Sequence, residues 1–551
     1  MAALELSLCV GVTGHRDIDP AALPAVEARV REAFAGLQRE FRCPIMVLSS
    51  LAEGADRLAA RIALELGHSL IVPLPLEAED YRKDFATPES QAEFDELLDR
   101  AARTYVVDRA APRTHETERQ AAYRSAGLAV ARNCHVLLAL WDGVETGKPG
   151  GTWEILRAKE RGERAIRSTP EATARHRPLG AAIVISTPRL NHEARPAVAL
   201  AWPGTLDPAW HRLTRMVRSI QHFNRDATRG RAWFPRRIAL SREQLHGREP
   251  APPAASALHR IADLYAVADA LAIRSQAWVR RGWRTLLLSG VLGVLAYGVY
   301  GSSNDHPWRW LLGYLAVVGL ALTAYLLMTR LRVQPRFLDY RALAEALRVA
   351  FFWRVAGLPG EPADRYPSHL FREVESLAMT LRVEEIRAPH LLADPEGLAL
   401  SIAHWVEGQC RYFENAAKRD GRWAYAFKIL ANGFILTGVL IAAVTLGIEK
   451  TDWIYLTEEQ REHLIHAMGI LPVIGGALAA YTDRLGHETQ ARQYARMFDL
   501  FELARDEIRD HAGSPHAQRE IMVRLAGEAL SEHAQWIVLH RQRPFEFRAG
   551  G

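Results

Sequence analysis

The sequence predicts an α/β doubly wound parallel sheet at the N-terminus, followed by an all-α membrane domain with four transmembrane helices. Three observations predict it. Short apolar runs alternate with helical patterns as far as residue 190. Four long uncharged apolar stretches lie beyond residue 284. Basic residues crowd one end of each stretch.

The apolar runs at Leu6–Val12, Ile45–Ser49, Leu70–Leu74, Thr104–Val107, Val136–Leu140 and Ala181–Ile185 read as strands. Helical patterns such as Ala55–Leu66 and Arg119–Ala131 separate them. Strand, helix and strand at this rhythm give a parallel sheet with helices on both faces. The start, MAALELSLCVGVTGHRD, reads as the first strand running into a glycine turn; it has no basic segment and too short an apolar run for a signal peptide. The Pro- and Arg-rich RSTPEATARHRPLG reads as a loop before the last strand. Residues 191–255, rich in Pro and Trp, read as a linker with short helices. The expected domains are therefore 1–190, the linker 191–255, and a helical domain 256–551.

A bilayer core of about 30 Å takes roughly 20 apolar residues to cross. Trp310–Met328 and Ile429–Ile448 meet this; Thr285–Tyr300 and Leu464–Tyr481 are shorter. The mean hydropathy of −0.11 hides these stretches because they are confined to the second half. Arg280, Arg281 and Arg284 precede the first, Arg330 and Arg332 follow the second, Lys418, Arg419 and Lys428 precede the third, and Arg484 and Arg492 follow the fourth. By the positive-inside rule these flanks share the cytoplasmic side, which puts both termini inside. Trp283, Trp308, Trp310, Trp423 and Trp453 stand where interfacial aromatics stand. No span contains a charge, so no proton relay is expected. Asn432, Thr437 and Thr445 are the polar side chains of the third span, and Gly290, Gly293, Gly433, Gly438, Gly475 and Gly476 allow close helix approach. Arg341, Glu345 and Arg348 read either as a solvated i,i+4 face or as ion pairs between subunits.

Two segments of the second half resemble one another. GLALSIAHWVEGQ (397–409) is similar to GEALSEHAQWIVLH (527–540), and each apolar pair is followed by a Tyr/Arg-rich helix, Tyr340–Arg354 and Tyr494–Arg505. A duplicated two-span unit is the expectation.

Composition excludes several classes. The net charge of +5 is small for 551 residues, so nucleic acid is not an expected partner. Cys9, Cys43, Cys134 and Cys410 are far apart, without a CxxC pair, which speaks against zinc ribbons and disulfide frameworks. His463 and His466 lack a carboxylate partner at ligand spacing, so no metal is expected. No GxGxxG or GxxxxGK[ST] motif occurs.

Ligands of doubly wound sheets bind at the C-terminal strand ends. Three features fall there. Gly11, Thr13, Gly14, His15 and Arg16 end the first strand. Ser49, Ser50, Glu53, Gly54 and Asp56 link the second strand to a helix. Asp142, Gly150, Gly151, Thr152 and Glu154 follow the fifth, with Lys148 nearby. Glycines and a hydroxyl at a helix N-terminus form a phosphate cradle, and Asp56 suits either the helix dipole or a ribose hydroxyl.

Together these features resemble the Rossmann-like SLOG superfamily, which includes LOG-type phosphoribohydrolases, DprA-like proteins and the N-terminal sensor of TRPM channels. The serine–Glu53-Gly54-x-Asp56 element is similar to the DprA-like S-x-x-A-x-G-x-D pattern, and Gly150-Gly151-Thr152-x-Glu154 to the family's second phosphate loop. The resemblance covers about 4–190. It implies a nucleotide-derived ligand, ADP-ribose-like or a cyclic nucleotide, and no required cofactor. The loop here, PGGTWE, is shorter than the PGGxGTxxE of LOG enzymes, and no equivalent of their catalytic arginine is evident. The second half, through YRALAEALR, FFWRVAG and LAGEALSEHAQWIVLHRQRP, resembles the SLATT and SMODS/SLOG-associated two-span effectors of bacterial conflict systems. That resemblance implies a homo-oligomeric effector in the bacterial inner membrane that perforates the bilayer when a nucleotide second messenger binds. The alternative is a membrane-anchored nucleotide N-glycosidase or phosphoribohydrolase in which Glu154 is the catalytic acid/base.

Overall fold

The computed structural model describes residues 4–107, 116–161, 180–190, 192, 196–204, 206–247, 258–302, 307–389, 391, 393–451 and 457–541. The expected loop at 167–179 and Trp453 lie outside the described residues. The chain divides into two compact units, and the division is discontinuous. The first holds 1–235, 257–264 and 360–390; the second holds 236–256, 265–359 and 391–551.

The first unit is built on a seven-stranded sheet: β1 Leu8–Gly14, β2 Ile45–Leu48, β3 Ser69–Leu74, β4 Arg103–Val106, β5 Val136–Trp141, β6 Ala181–Ser186 and β7 Ala199–Ala201. The order is β4-β3-β2-β1-β5-β6-β7. All pairings are parallel except β6 with β7. Six strands match the expected positions within two residues. β7 was not expected: three residues at an edge carry no periodic signal.

The strands are apolar on both sides because helices cover both faces. On one face lie α1 Leu23–Phe41, α2 Ala55–Glu65 and α4 Pro88–Asp99, reached after the short α3 Ala78–Arg82. On the other lie α5 Glu116–Asn133 and α6 Thr152–Arg161. Cys9, Met46, Leu48, Ile71, Leu137 and Ala139 interlock there with Leu128, Ala131, Ile155 and Leu156.

The stretch expected as a linker differs from that expectation. Pro208–Trp233 forms a 26-residue helix, α7, started by Asp207, whose carboxylate accepts from the Ala209 amide at 2.7 Å. α7 packs on α1 and β6, and its Asn224 side chain pairs with both backbone groups of Leu6, at 2.8 and 2.9 Å. Its apolar residues Leu213, Val217, Ile220 and Phe223 keep helical spacing; the interspersed arginines and histidines obscured it. A second addition comes from far along the chain. α12 Phe371–Arg387 lies at the N-terminal ends of the strands: Arg387 donates to Ser7 Oγ at 2.7 Å, and Arg103 donates to the Ile386 carbonyl at 2.6 Å. Both additions leave the C-terminal strand ends clear.

The second unit is helical. α8 Pro235–His246 precedes α9 His259–Ser302, α10 Pro307–Arg330 and α11 Val333–Val355; α13 Pro395–Ser401 leads through one π-type turn into α14 Glu407–Thr451, then α15 Glu458–Leu485, α16 His487–Asp510 and α17 Pro515–Arg541. Two runs follow the same order and length. α9, α10 and α11 have 44, 24 and 23 residues; α14, α15 and α16 have 45, 28 and 24. In each run one left-handed residue, Arg332 or Gly486, sits at the turn before the third helix.

Four helices are long and apolar enough to cross a membrane, and at most 17% of each apolar window is buried within the protein. Leu288, Leu315, Leu436 and Leu440 are all more than half exposed. Burying a leucine side chain is worth about 1.5–3 kcal/mol, so such a surface is costly to leave in water. Glycine contacts separate the helices. A Cβ on Gly438 would lie 2.5 Å from Pro472, and one on Gly475 would lie 2.6 Å from the Ala431 carbonyl, so α14 and α15 approach closely. Gly290, Gly433 and Gly476 face open space, and Gly293 makes only ordinary contact with Tyr314. Thr445 bonds within its own helix, to the Ile441 carbonyl.

Candidate functional site

The chain runs β1 to β4 toward one edge of the sheet, then returns to place β5 on the other side of β1. The connections after β1 and β5 therefore diverge, and this strand-order reversal is the position at which open α/β sheets bind ligands. The loops after β2, β1 and β5 are neighbours at that switch point.

β1 ends against both of its flanks. Gly14 pairs with Leu140, and a Cβ there would lie 2.3 Å from Ala55 of α2. The His15 carbonyl accepts from the Ala55 amide at 3.0 Å, and the His15 amide donates to the Leu140 carbonyl at 3.2 Å. Gly54, with φ +77°, completes the junction: a Cβ would stand 2.3 Å from the Arg16 carbonyl and 2.6 Å from that of His15. Only glycine fits such a close approach in that conformation. The first and second features are thus one structure.

His15 also meets the third feature. Its Nε2 lies 3.1 Å from Asp142 Oδ1 and 3.2 Å from the Asp142 amide nitrogen, serving one or the other according to tautomer. Burial lowers the His15 pKa, more than Asp142 raises it. Burial alone would raise Asp142, but the Val144 amide, His15 and Arg189 hold it below its ordinary value. Asp142 Oδ1 accepts from the Val144 amide at 3.0 Å. Its other oxygen, buried, has no hydrogen-bond partner among the described residues; Arg189 and His192 stand 3.6 and 3.9 Å away. Ser50 Oγ is likewise buried without a partner among them. The rim therefore keeps an unused carboxylate acceptor beyond β5 and an unused hydroxyl beyond β2.

Other residues of the set have local duties. Ser49 Oγ donates to the Asp56 carbonyl and accepts from the Leu51 amide. Burial pushes the Asp56 carboxyl up to about 7, against Arg16 and the amides of Ala52 and Ser50. Glu53 accepts from Ser90 Oγ. Gly11 lies within β1, away from the rim; a Cβ there would be 2.7 Å from Cys134 Sγ, so it is a packing glycine. Thr13 is half-buried and pairs with Ala139. Arg16 is exposed, its guanidinium 5.4 Å from the centre of the Tyr123 ring.

The glycine loop before α6 differs from an open phosphate cradle. The Gly150 amide donates to Glu154 Oε2 at 2.7 Å and the Gly151 amide to the Lys148 carbonyl at 3.0 Å. The amides of Thr152 and Trp153 remain in the first turn of α6, where a helix supplies no acceptor. Glu154 is clamped on its other side by Arg124, at 2.7 and 2.6 Å. Burial alone would raise its pKa, but Arg124 and the Gly150 amide bring it below the ordinary value. A carboxyl so held is a poor proton donor at neutral pH.

Three participants escaped the sequence reading. Arg124, on α5, pairs with Glu154 across 30 residues. Arg57 is buried, donating to the Leu51 carbonyl at 3.1 Å and the Ser90 carbonyl at 2.7 Å. Leu51 adopts φ +56°, a strained state for a branched residue that the Ser49 and Arg57 bonds hold in place. An arginine directly after Asp56 was the one available signal.

Among the described residues no group of three or more His, Cys, Asp or Glu is placed to hold a metal. His463 and His466 bond within their own helix. Comparison with family models, with curated proteins and with solved structures gave no match.

Proposed function

We propose that the chain is a membrane effector of a bacterial anti-phage or conflict system. Its α/β unit binds a nucleotide-derived signal, and its four apolar helices cross the inner membrane and respond by perforating it. The observation that carries the reading is the buried pair Asp142 Oδ2 and Ser50 Oγ on either side of the β1 terminus: neither has a hydrogen-bond partner among the described residues, and Asp142 Oδ2 meets only the more distant Arg189 and His192, at 3.6 and 3.9 Å. A buried polar atom without a partner costs about 1–3 kcal/mol, and a ligand rich in hydroxyls relieves that cost. A ribose carries such hydroxyls, and the first-turn amides of α6, at the positive end of the helix, suit its phosphate. The exposed leucines of the four helices support the membrane reading, and the SLOG and SLATT resemblances supply the biological setting.

The clamped Glu154 favours a sensor over a hydrolase. Titration calorimetry of the detergent-solubilised full chain with ADP-ribose and with 3′,5′-cyclic AMP tests this. Saturable binding to one of them is expected, weakened at least tenfold in Asp142→Asn, with no new product on chromatography. Turnover abolished in Glu154→Gln would instead make the chain an N-glycosidase. Binding unchanged in Asp142→Asn would move the site away from this rim.

A further inference from the structure

The helical unit contains a cavity of about 470 Å³, a size typical of small-molecule sites, that none of the motifs above explains. Its walls come from α8, α9, α11, α14, α16, α17 and the π-type turn before α14.

The charged side chains facing it are Arg237, Arg341, Arg348, Asp269, Glu345 and Glu532. Three positive and three negative groups cancel. Most are tied to one another. Glu345 bridges Arg341 at 2.5 Å and Arg348 at 2.8 Å. Arg341 also reaches Asp269 at 3.4 Å, and Ser241 donates to the second Asp269 oxygen at 2.8 Å. Arg348 donates to Tyr265 Oη at 2.7 Å and to Gln409 Oε1 at 3.3 Å. His533 is neutral, burial lowering its pKa to about 4. The i,i+4 pair expected from sequence forms between Arg341 and Glu345, on a largely buried cavity wall rather than a solvated face, and it joins residues of other helices within the chain.

The remaining lining is of two kinds. Gln244, Gln276, Gln409, Gln490 and Gln493 present amides; the Gln276 and Gln409 oxygens accept from Arg280 and Arg348 and the Gln490 amide donates to the Leu485 carbonyl, so the first two offer a ligand their donors and the third its acceptor. Tyr265, Trp405, Tyr412, Tyr494 and Trp536 present rings. Tyr412 and Tyr494 meet edge to face at 6.2 Å, and Trp405 lies parallel to Phe352 at 6.1 Å. Amide edges and ring faces around a charge-neutral space select a flat molecule with a donor and acceptor edge and no net charge. At the Arg341, Glu345 and Arg348 cluster an anion would have to displace Glu345 from two guanidiniums, and a cation would meet those guanidiniums directly; Arg237 and Glu532, of opposite sign, add no net charge.

We propose that this cavity is a second binding site, for an uncharged nucleoside or a planar heterocycle of that size. Its position gives it leverage. α9 and α14 run unbroken from the cavity into apolar stretches, and α11 and α16 follow the other two after single left-handed turns. A ligand here touches α9 and α14 directly, and reaches α10 and α15 through the helices that follow them.

The experiment titrates the detergent-solubilised full chain with adenosine, guanosine, cytidine and uridine, with their 5′-monophosphates, and with glucose. One nucleoside is expected to bind once per chain, at least tenfold more tightly than its monophosphate. Gln409→Leu and Gln493→Leu weaken it at least tenfold. The near-isosteric Glu345→Gln leaves the arginines in excess and shifts the preference at least tenfold toward the monophosphate. Photolabelling with 8-azidoadenosine marks peptides containing Tyr412 or Tyr494. Tighter binding of the monophosphate by the wild type, binding of glucose alone, no binding at all, or labelling confined to 13–16, 49–56 and 142–154 would each overturn the proposal. The last outcome would leave the rim reading intact, and failure at the rim leaves this site untouched.

Discussion

The rim of the sheet and the cavity of the helical unit solve the burial of polar groups in opposite ways. At the rim several polar groups are satisfied by neighbours a few residues away, Ser49 with Leu51 and Asp56, Asp142 with Val144, Gly150 with Glu154, while His15, Glu53, Arg57 and Glu154 also reach across the fold. Among the described residues four buried side-chain atoms there have no hydrogen-bond partner: Ser50 Oγ, Asp142 Oδ2, Arg57 Nη2 and His192 Nδ1. Around the cavity the partners lie far apart in the chain: Tyr265 with Arg348, Asp269 with Arg341, Arg348 with Gln409. A loop closed by its own residues can hold a strained geometry independently of its surroundings. A cluster assembled from many helices is only as fixed as their packing, so it is suited to register a shift among them.

The rim is accordingly the more brittle of the two. Gly54→Ala puts a Cβ 2.3 Å from the Arg16 carbonyl at φ +77°, and a cost of about 3–5 kcal/mol is expected from overpacking and strain together. Gly143→Ala, also at positive φ but with nothing within 4 Å, is expected to cost about 1 kcal/mol. Chemical denaturation of the two variants, followed by hydrogen exchange in β1 and α2, checks the contrast; equal losses would show that the junction is not tight.

The cavity should yield more gradually. Glu345→Ala leaves Arg341 and Arg348 facing each other. Breaking a buried pair costs about 3–5 kcal/mol, and the partial exposure of these groups reduces the expectation to about 2–3. Glu345→Gln, which keeps hydrogen bonding, should cost less than half of that. Helix melting followed by circular dichroism reads both.

Acidity separates the regions again. Asp56 has its folded pKa raised to about 7, from about 3.9 in an unfolded chain. The folded state therefore binds the extra proton between those values. Stability is fully present below about pH 4 and is lost as pH rises toward 7, at no more than about 1.4 kcal/mol per pH unit. Asp56→Asn should flatten this slope for α2 while leaving the exchange of α11 unchanged; an unaltered slope would place the titrating group elsewhere. The smallest effect is expected at Arg124→Ala, about 0.5 kcal/mol, since its pair with Glu154 is partly exposed. It should appear as faster exchange of the Gly150 amide.

The same contrast explains what could be read from sequence. Strands β1, β2, β3, β5 and β6 declared themselves as apolar runs because the sheet is covered on both faces, and the four apolar stretches because bilayer thickness sets their length; β4, Arg-Thr-Tyr-Val at the sheet edge, is only half-buried. The glycines at 14 and 54 were visible as turn signals, but the packing of Gly14 on Ala55 and of Gly54 on the His15 and Arg16 carbonyls was not. Long-range closure left no local mark. Arg124 on Glu154, the arrival of α12 at the foot of the sheet, and the convergence of Arg341, Glu345 and Arg348 with Asp269 and Tyr265 all depend on residues that spacing along the chain does not relate. α7 was obscured by its own charge, since arginines fill its solvent face and apolar residues occupy only a narrow stripe.

The central claim is that a nucleotide-derived ligand at the sheet rim changes what the apolar helices do to a bilayer. Release of a trapped dye from liposomes containing the full chain, on addition of ADP-ribose or 3′,5′-cyclic AMP, tests it most directly. The account predicts release that saturates with one of these ligands and is lost in Asp142→Asn. Liposomes that stay sealed while the rim is demonstrably occupied would contradict it.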